Sequence, residues 1–549
     1  MGDVVRFALH KGLSPASLTP DGEIEKEQAG DFGDTYRVKL SKGKRTFTLA
    51  YKGRIFHPLE PSGKEQARGM NTTAGIISKD GAVLSGSSLW YPVFDVPFLR
   101  FSLLVEVPAG WDAVSQGSRV LHGREKDRTV VQWESKEPQD EIFLIAARFI
   151  EYNRSTGRVN AMAFLRSPDR DLAEKHLEAT TRYIAMYEEL IGPYPYSKFA
   201  LVENFWETGF GMPSFTLLGP KVIRLPFIIN SSFPHEILHN WWGNSVFPDY
   251  GEGNWSEGLT AYLSDHLIKE QQGSGAEYRQ ATLQKYADYV STGRDFPLTA
   301  FRSRHSSPSE AVGYGKALML FHMLRQELGD EDFIAGLRRF YDHNRFRIAS
   351  FDDIRKAMEE VSGRDLGVFF KQWAERQGAP ALILKKVEVR QEGDGYWLKV
   401  FLEQAQEGLP YDLRVPVAVT LEGKEEAHQA VITMEARDVE FSLFLPDRPL
   451  RVDIDPSFDL FRRLLREEAP AAISQALGSH EMLVILPSGS EKRLLDAYRT
   501  LADTLAGSGP ERVVVKTDDE IDAIPSDRAV TVLGWENRLY KTVMDALRD

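Results

Sequence analysis

Residues 232–266 read SFPHEILHNWWGNSVFPDYGEGNWSEGLTAYLSDH, and the rest of the chain is organised around them. They contain His235-Glu236-x-x-His239, with Glu257 eighteen positions beyond the second histidine. Residues four apart on a helix share a face, so His235 and His239 present two imidazoles to one ion. Glu236 lies one residue round from that face, in reach of a water without being a ligand. Pro234 suits a first helical turn and Gly243 a stop. A second helix is expected from Ser256, as N-cap, to about Gln271, with Gly273 past its end. Glu257 then falls in its first turn, facing the histidines. Two histidines and a carboxylate leave a fourth position open, the ligand set of a catalytic zinc.

Beyond the bare motif, Trp242-Gly243-Asn244 and Trp255-Ser256-Glu257-Gly258 extend the pattern. Together these residues resemble the gluzincin aminopeptidases, the family of aminopeptidase N and the bifunctional leukotriene hydrolase. Its members carry HExxH, then an aromatic-Gly-Asn, then W-x-x-E-G at a helix start. The family keeps eighteen residues between the second histidine and the glutamate, whereas seventeen stand between His239 and Glu257. The missing one falls between Trp255 and Glu257. The resemblance covers residues 3–460 and implies a thermolysin-like zinc domain with one Zn2+ per chain.

Two further motifs carry site residues. Residues 207–214 read ETGFGMPS, where the family has Gly-x-Met-Glu-Asn. In the family this segment is an edge strand that pairs with the peptide backbone, and its glutamate holds the free α-amine. Met212 matches, Gly211 stands at the variable position, and Phe210 stands where the first glycine is usual. Pro213 replaces the glutamate and Ser214 the asparagine. Proline supplies no carboxylate and removes a backbone donor. The segment from Gly209 through Gly211 to Met212 is expected to meet the substrate backbone, with Glu203 or Glu207 as nearby substitutes for the amine anchor. Downstream, Tyr314 and Lys316 match the family's Tyr-x-Lys-Gly, with Ala317 at the glycine. The resemblance makes the Tyr314 phenol an oxyanion donor.

Length and composition fit this reading. A chain of 549 residues, 42% hydrophobic and 27% charged, has material for three or four packed domains. A formal charge of −13 argues against nucleic acid or an anionic membrane as partner. With no cysteine there is no disulfide, thiol catalysis or cysteine-held metal. No run reaches transmembrane length and no signal peptide is visible; the compartment stays open between cytoplasm and export with a leader removed.

Taken in order, the chain predicts a multidomain α+β protein. Residues 1–168 alternate in short runs and form an N-terminal β-sandwich-like domain; the runs include VVRFALH, DTYRVKL, FLRFSLLVEV, RTVVQWES and one long EIFLIAARFIEY. Residues 169–380 turn helical from DLAEKHLEATTRYIAMYEELIG onward and hold the zinc domain. The helix carrying Tyr314 is expected to open at Glu310. Residues 381–460 return to alternation as a small β-sandwich, with Asp394-Gly395 as a hairpin turn. Residues 461–549 alternate apolar runs with helices, the rhythm of a parallel α/β segment, possibly incomplete. The last helix is read over ENRLYKTVMDAL.

The predicted function is a zinc metallopeptidase, aminopeptidase-like: His235, His239 and Glu257 as ligands, Glu236 as general base, Tyr314 as oxyanion donor, and a peptide or small amide as substrate. Without the anchor glutamate, cleavage of internal or blocked bonds is the first alternative. An epoxide hydrolase activity, and a binding or scaffold protein on a peptidase fold, are further alternatives. The sequence assigns no side-chain preference and no oligomeric state.

Overall fold

The computed structural model describes residues 4–19, 22–43, 45–61, 70–155, 157–290, 293–506, 509–525 and 528–546. They divide into two units. The architecture is mixed and multidomain, with several β-sheets beside a helical domain.

The first unit draws on residues 1–62, 67–247 and 341–348. Its N-terminal part is built of strands, as the alternation predicts. Val4–His10 pairs antiparallel with Gly33–Lys39, which pairs on with Glu23–Gln28. Leu99–Pro108, Arg128–Gln139 and Ser118–Glu125 form a second antiparallel sheet. Alternate residues such as Phe7, Leu9 and Val38 point inward. The run 141–152 is two strands rather than one. Leu144–Ala147 pairs with Asp112–Val114 and Ala82–Leu84, whereas Ile150–Ser155 joins the next sheet, so each half answers to different neighbours.

That next sheet positions the site. Its strand order is Ile150–Ser155, Asn160–Leu165, Lys198–Glu203, Phe215–Leu218, Gly209–Met212. The two central contacts are parallel and the outer two antiparallel. Lys198–Glu203 is buried at every position, as a strand covered on both faces must be. Helix Arg170–Leu190 opens on Asp169, whose carboxylate accepts from Leu172 N, and packs on this sheet. One apolar core runs from Phe7 and Leu9 through Trp133 to Ala200, Met212 and Phe215.

The second unit includes residues 248–340 and 349–546. Helix Ser256–Ala261 continues through a π-helical turn, Tyr262–His266, into Leu267–Gln271, and Gly273 ends it at φ +79°. Helix Gly275–Tyr289 follows. Ser307–Glu310 likewise runs through a π turn, Ala311–Lys316, into Ala317–Leu328. Two three-stranded antiparallel sheets follow. The first hairpin pairs Glu392 with Gly395, so the turn residues are Gly393, at φ +61°, and Asp394; Gly395 already belongs to the strand. The C-terminal segment is a parallel sheet with Glu481–Leu486 between Arg512–Thr517 and Ala529–Val532, covered by helix Lys492–Ala506. The final helix is Tyr540–Ala546, shorter than its apolar pattern predicts. No helix among the described residues is long and apolar enough to cross a membrane.

Candidate metal centre and catalytic groups

In the first unit, helix Ser232–Leu238 carries His235 and Glu236, and His239 caps it. The helix stops here, not at Gly243. The Asn240 amide donates to Ile237 O at 2.9 Å, and Gly243, at φ +110°, turns the chain away. That turn delivers Trp242 O to His239 Nδ1 at 2.9 Å. The bond fixes the His239 tautomer and leaves Nε2 as the acceptor nitrogen. His235 Nε2 lies 3.1 Å from His239 Nε2, with the rings nearly perpendicular at 80°. Two half-buried imidazoles aiming Nε2 at one point are a nitrogen donor pair suited to one metal ion.

Glu236 faces the sheet. A Cβ built on Gly211 would lie 2.4 Å from Glu236 Oε2 and 3.5 Å from His239 Cδ2. Glycine therefore lets the backbone of the edge strand Gly209–Met212 come onto the carboxylate. One edge of this strand pairs with Phe215–Leu218, and the strand stands last in its sheet. The expected alternation holds: Gly209 and Gly211 share one side, while Met212 points into the core.

The two carboxylates expected to substitute for the amine anchor have partners inside this unit. Glu203 is buried and accepts from Arg166 N at 2.7 Å and Arg224 Nη1 at 2.6 Å. Glu207 accepts from the backbone of Lys221 at 3.1 Å, at the start of the short helix Val222–Arg224. Pro213 and Ser214 form the two-residue turn after the edge strand, with Ser214 at φ +66°. Sequence reasoning passed over three residues that grip this turn: Asn240, Lys198 and Gly117. A lysine inside the apolar run KFALVEN was the available signal.

In the second unit, Glu257 is half-buried in the first turn of its helix. Ser256 is not the N-cap. The N-cap is Trp255, one residue earlier, and Asn254 just before it accepts through Oδ1 from both Ser256 N, at 3.1 Å, and Ser256 Oγ, at 2.7 Å. Trp255 is fully buried and donates to Ala349 O at 2.7 Å. Gly258 sets the approach to the next helix: a Cβ there would lie 2.1 Å from Ala317 Cβ. Tyr314 sits mid-helix in the π turn, half-buried and edge-on to Phe301 at 6.0 Å; the helix itself opens at Ser307 on its N-cap Ser306. π turns recur at functional positions. Lys316 donates to Arg376 O at 2.6 Å, and burial lowers its pKa to about 8.

Asp112, His122 and Glu151 form another cluster of metal-ligand types in the first unit. There Arg119 takes both Glu151 oxygens at 2.7 Å, so a guanidinium already neutralises the carboxylate.

Residues 176–373 match the Peptidase family M1 domain. The alanine/arginine aminopeptidase of Saccharomyces cerevisiae is 24% identical over 44% of this chain and 31% of its own length. Aminopeptidase N of Lactococcus lactis subsp. lactis is 23% identical over 70% of this chain and 48% of its own. The crystal structure of Legionella pneumophila aminopeptidase A, in complex with aspartic acid, superposes with a TM-score of 0.62 at 15% identity, covering 86% of this chain and 56% of that one. The chain thus spans about a third to a half of the length of these curated relatives. The matched stretch carries the HExxH helix, the Glu257 helix and Tyr314, and this part of the chain is similar to the M1 peptidase domain of these aminopeptidases.

Proposed function

We propose that this chain is a zinc-dependent peptidase of aminopeptidase type, with His235, His239 and Glu257 holding one zinc ion. The observation that carries the reading is the 3.1 Å approach of the two Nε2 atoms, on a helix whose Glu236 carboxylate lies against the edge strand at Gly211. All three proposed ligands are half-buried, sheltered yet reachable. When bound, zinc polarises the scissile carbonyl and acidifies water. Glu236 takes the proton of the attacking water and passes it to the leaving amine. The Tyr314 hydroxyl donates to the oxyanion as it forms. The strand Gly209–Met212 pairs with the substrate backbone and holds the scissile bond over Glu236.

A second reading concerns the bond chosen. Pro213 has no carboxylate, and Glu203 and Glu207 are engaged by Arg224 and by backbone amides. These engagements favour blocked or internal bonds over residues with a free α-amine.

One experiment tests both. Zinc-loaded protein and its Glu236→Gln variant are incubated with peptides carrying free or acetylated N-termini, and products are read by mass spectrometry. Stepwise loss of N-terminal residues from free peptides alone supports the aminopeptidase reading. Cleavage of acetylated peptides supports the second. Equal turnover by the variant, or none by the zinc-loaded parent, overturns the peptidase assignment.

A further inference from the structure

Lys198 is fully enclosed in the first unit and forms no ion pair with a carboxylate among the described residues. Its Nζ lies 3.0 Å from Ser214 O and 2.8 Å from Ser214 Oγ, between the faces of Trp133 and Phe215 at 5.0 and 5.2 Å from their centroids. A lysine is rarely buried without a counter-charge, so this one needs an explanation.

Ser214 is also unusual. It follows Pro213 in a two-residue turn and holds φ +66°, a pattern in which glycine or asparagine is normal. A serine there is strained, and persists only if its surroundings fix it. Ser214 N donates to Asn240 Oδ1 at 2.7 Å, tying the turn to the residue beside His239. Ser214 O accepts from Ala200 N at 3.1 Å as well as facing Nζ. Ser214 Oγ accepts from Gly117 N at 3.1 Å.

Hydrogen-bond accounting then decides the protonation state. An ammonium donates three protons and accepts none. With Gly117 N–H and an ammonium both donating to Oγ, the Ser214 hydroxyl proton would have no acceptor among the described residues. A neutral amine resolves this: the hydroxyl donates to the Nζ lone pair, and one N–H donates to Ser214 O. Burial acts in the same direction, lowering the Lys198 pKa well below the ordinary lysine range.

We propose that Lys198 is an uncharged positioning residue, which locks the Pro213–Ser214 turn so that the Gly209–Met212 edge strand is held on Glu236. Ser214 and Lys198 are both fully enclosed, so they do not form a nucleophilic pair; the lysine acts through the strand. Its kinetic consequence rests on the peptidase reading above, while its protonation and its hold on the strand do not.

The test uses the full chain. With 13Cε-labelled lysine, one resonance is expected at the neutral-amine position at neutral pH and is expected to vanish in Lys198→Met. If every lysine resonance of the parent lies at the ammonium position, the proposal is overturned, whatever the variants do. Amide hydrogen exchange at Gly209–Met212 should rise about tenfold in Lys198→Met, and in Ser214→Ala, with zinc content unchanged. Unchanged exchange in both overturns it too. With a turned-over peptide, Lys198→Met should raise KM about tenfold at nearly constant kcat, the mark of a misplaced binding strand. Lys198→Arg should not rescue KM, because its charge is permanent. If the parent turns over no peptide, the peptidase reading fails, and the resonance and exchange still decide this inference.

Discussion

Gly211 and Glu236 are set so closely that any side chain at 211 collides with the proposed base: a Cβ would stand 2.4 Å from Oε2. The edge strand and the HExxH helix are thereby fixed against each other by the absence of an atom. Gly211→Ala should displace either the strand or the carboxylate by a few tenths of an ångström or more. A misplacement of about 1 Å costs about 100-fold, so the smaller shift should cost about 10-fold or more in kcat/KM. Zinc content should stay at one equivalent, since His239 Cδ2 is 3.5 Å away, an ordinary contact. Steady-state kinetics with metal analysis checks both. Undiminished turnover would show that Glu236 does not work from this position.

The partners of Glu203 and Glu207 lead to a specificity prediction. A carboxylate already bonded to Arg224, or to backbone amides at a helix start, has little left to offer a substrate ammonium. Glu203→Gln and Glu207→Gln should therefore leave the ratio of rates on free and acetylated peptides within about twofold. Glu203→Gln should instead cost about 1–3 kcal/mol of stability, because it weakens a charge-assisted pair on a buried oxygen. A selective loss of activity on free peptides in either variant would return the amine anchor to that residue.

Acid sensitivity follows from His266, on the helix that carries Glu257 in its first turn. It is buried, its Nε2 accepts from Arg279 Nη1 at 2.8 Å, and its Nδ1 has no hydrogen-bond partner among the described residues. Burial, with His322 and the Arg279 and Arg325 guanidiniums adding to it, lowers its pKa to about 3 from 6.5. The folded value is depressed, so between these values the unfolded chain binds the extra proton. Stability is then fully present above pH 6.5 and is lost as pH falls toward 3, by up to about 5 kcal/mol from this group. His266→Gln keeps an acceptor for Arg279 and removes the titration. Urea midpoints across that window should fall less steeply for the variant than for the parent; identical slopes would dismiss His266 as the source.

Much of this was readable from residues alone, for physical reasons. HExxH declares itself because i and i+4 share a helix face, and the alternating strands because their period is two. The fully buried run Lys198–Glu203 also reads as a strand, since apolar residues fill it. The lysine opening it does not, because lysine ordinarily implies solvent, and only the fold brings Ser214, Trp133 and Phe215 around it. The π turns at Tyr262–His266 and Ala311–Lys316 leave no mark in the sequence, since an i→i+5 bond imposes no residue pattern. The cap at Trp255 and the turn at Gly393-Asp394 each lie one residue before the position the sequence indicates, the usual play of element ends. Run 141–152 shows no internal break because neither glycine nor proline interrupts it; the division lies in which neighbours each half pairs with.

The Gly258–Ala317 contact couples two proposed catalytic groups within the second unit. Gly258 follows Glu257, and Ala317 begins the helical segment after the Tyr314 π turn. A Cβ at 258 would meet Ala317 Cβ at 2.1 Å and its backbone at 3.0 Å, so the helices must part to admit it. Overpacking of this kind costs about 1–3 kcal/mol. The same displacement moves Glu257 as a ligand and Tyr314 as a donor, so Gly258→Ala should weaken zinc about 10–100-fold. Tyr314→Phe leaves the packing intact and removes only the hydroxyl; it should retain zinc and lose about 100-fold or more in kcat at similar KM. Comparing the two separates position from chemistry. Full zinc affinity in Gly258→Ala would mean that Glu257 is not held by this helix contact, and full kcat in Tyr314→Phe would remove the phenol from the reaction.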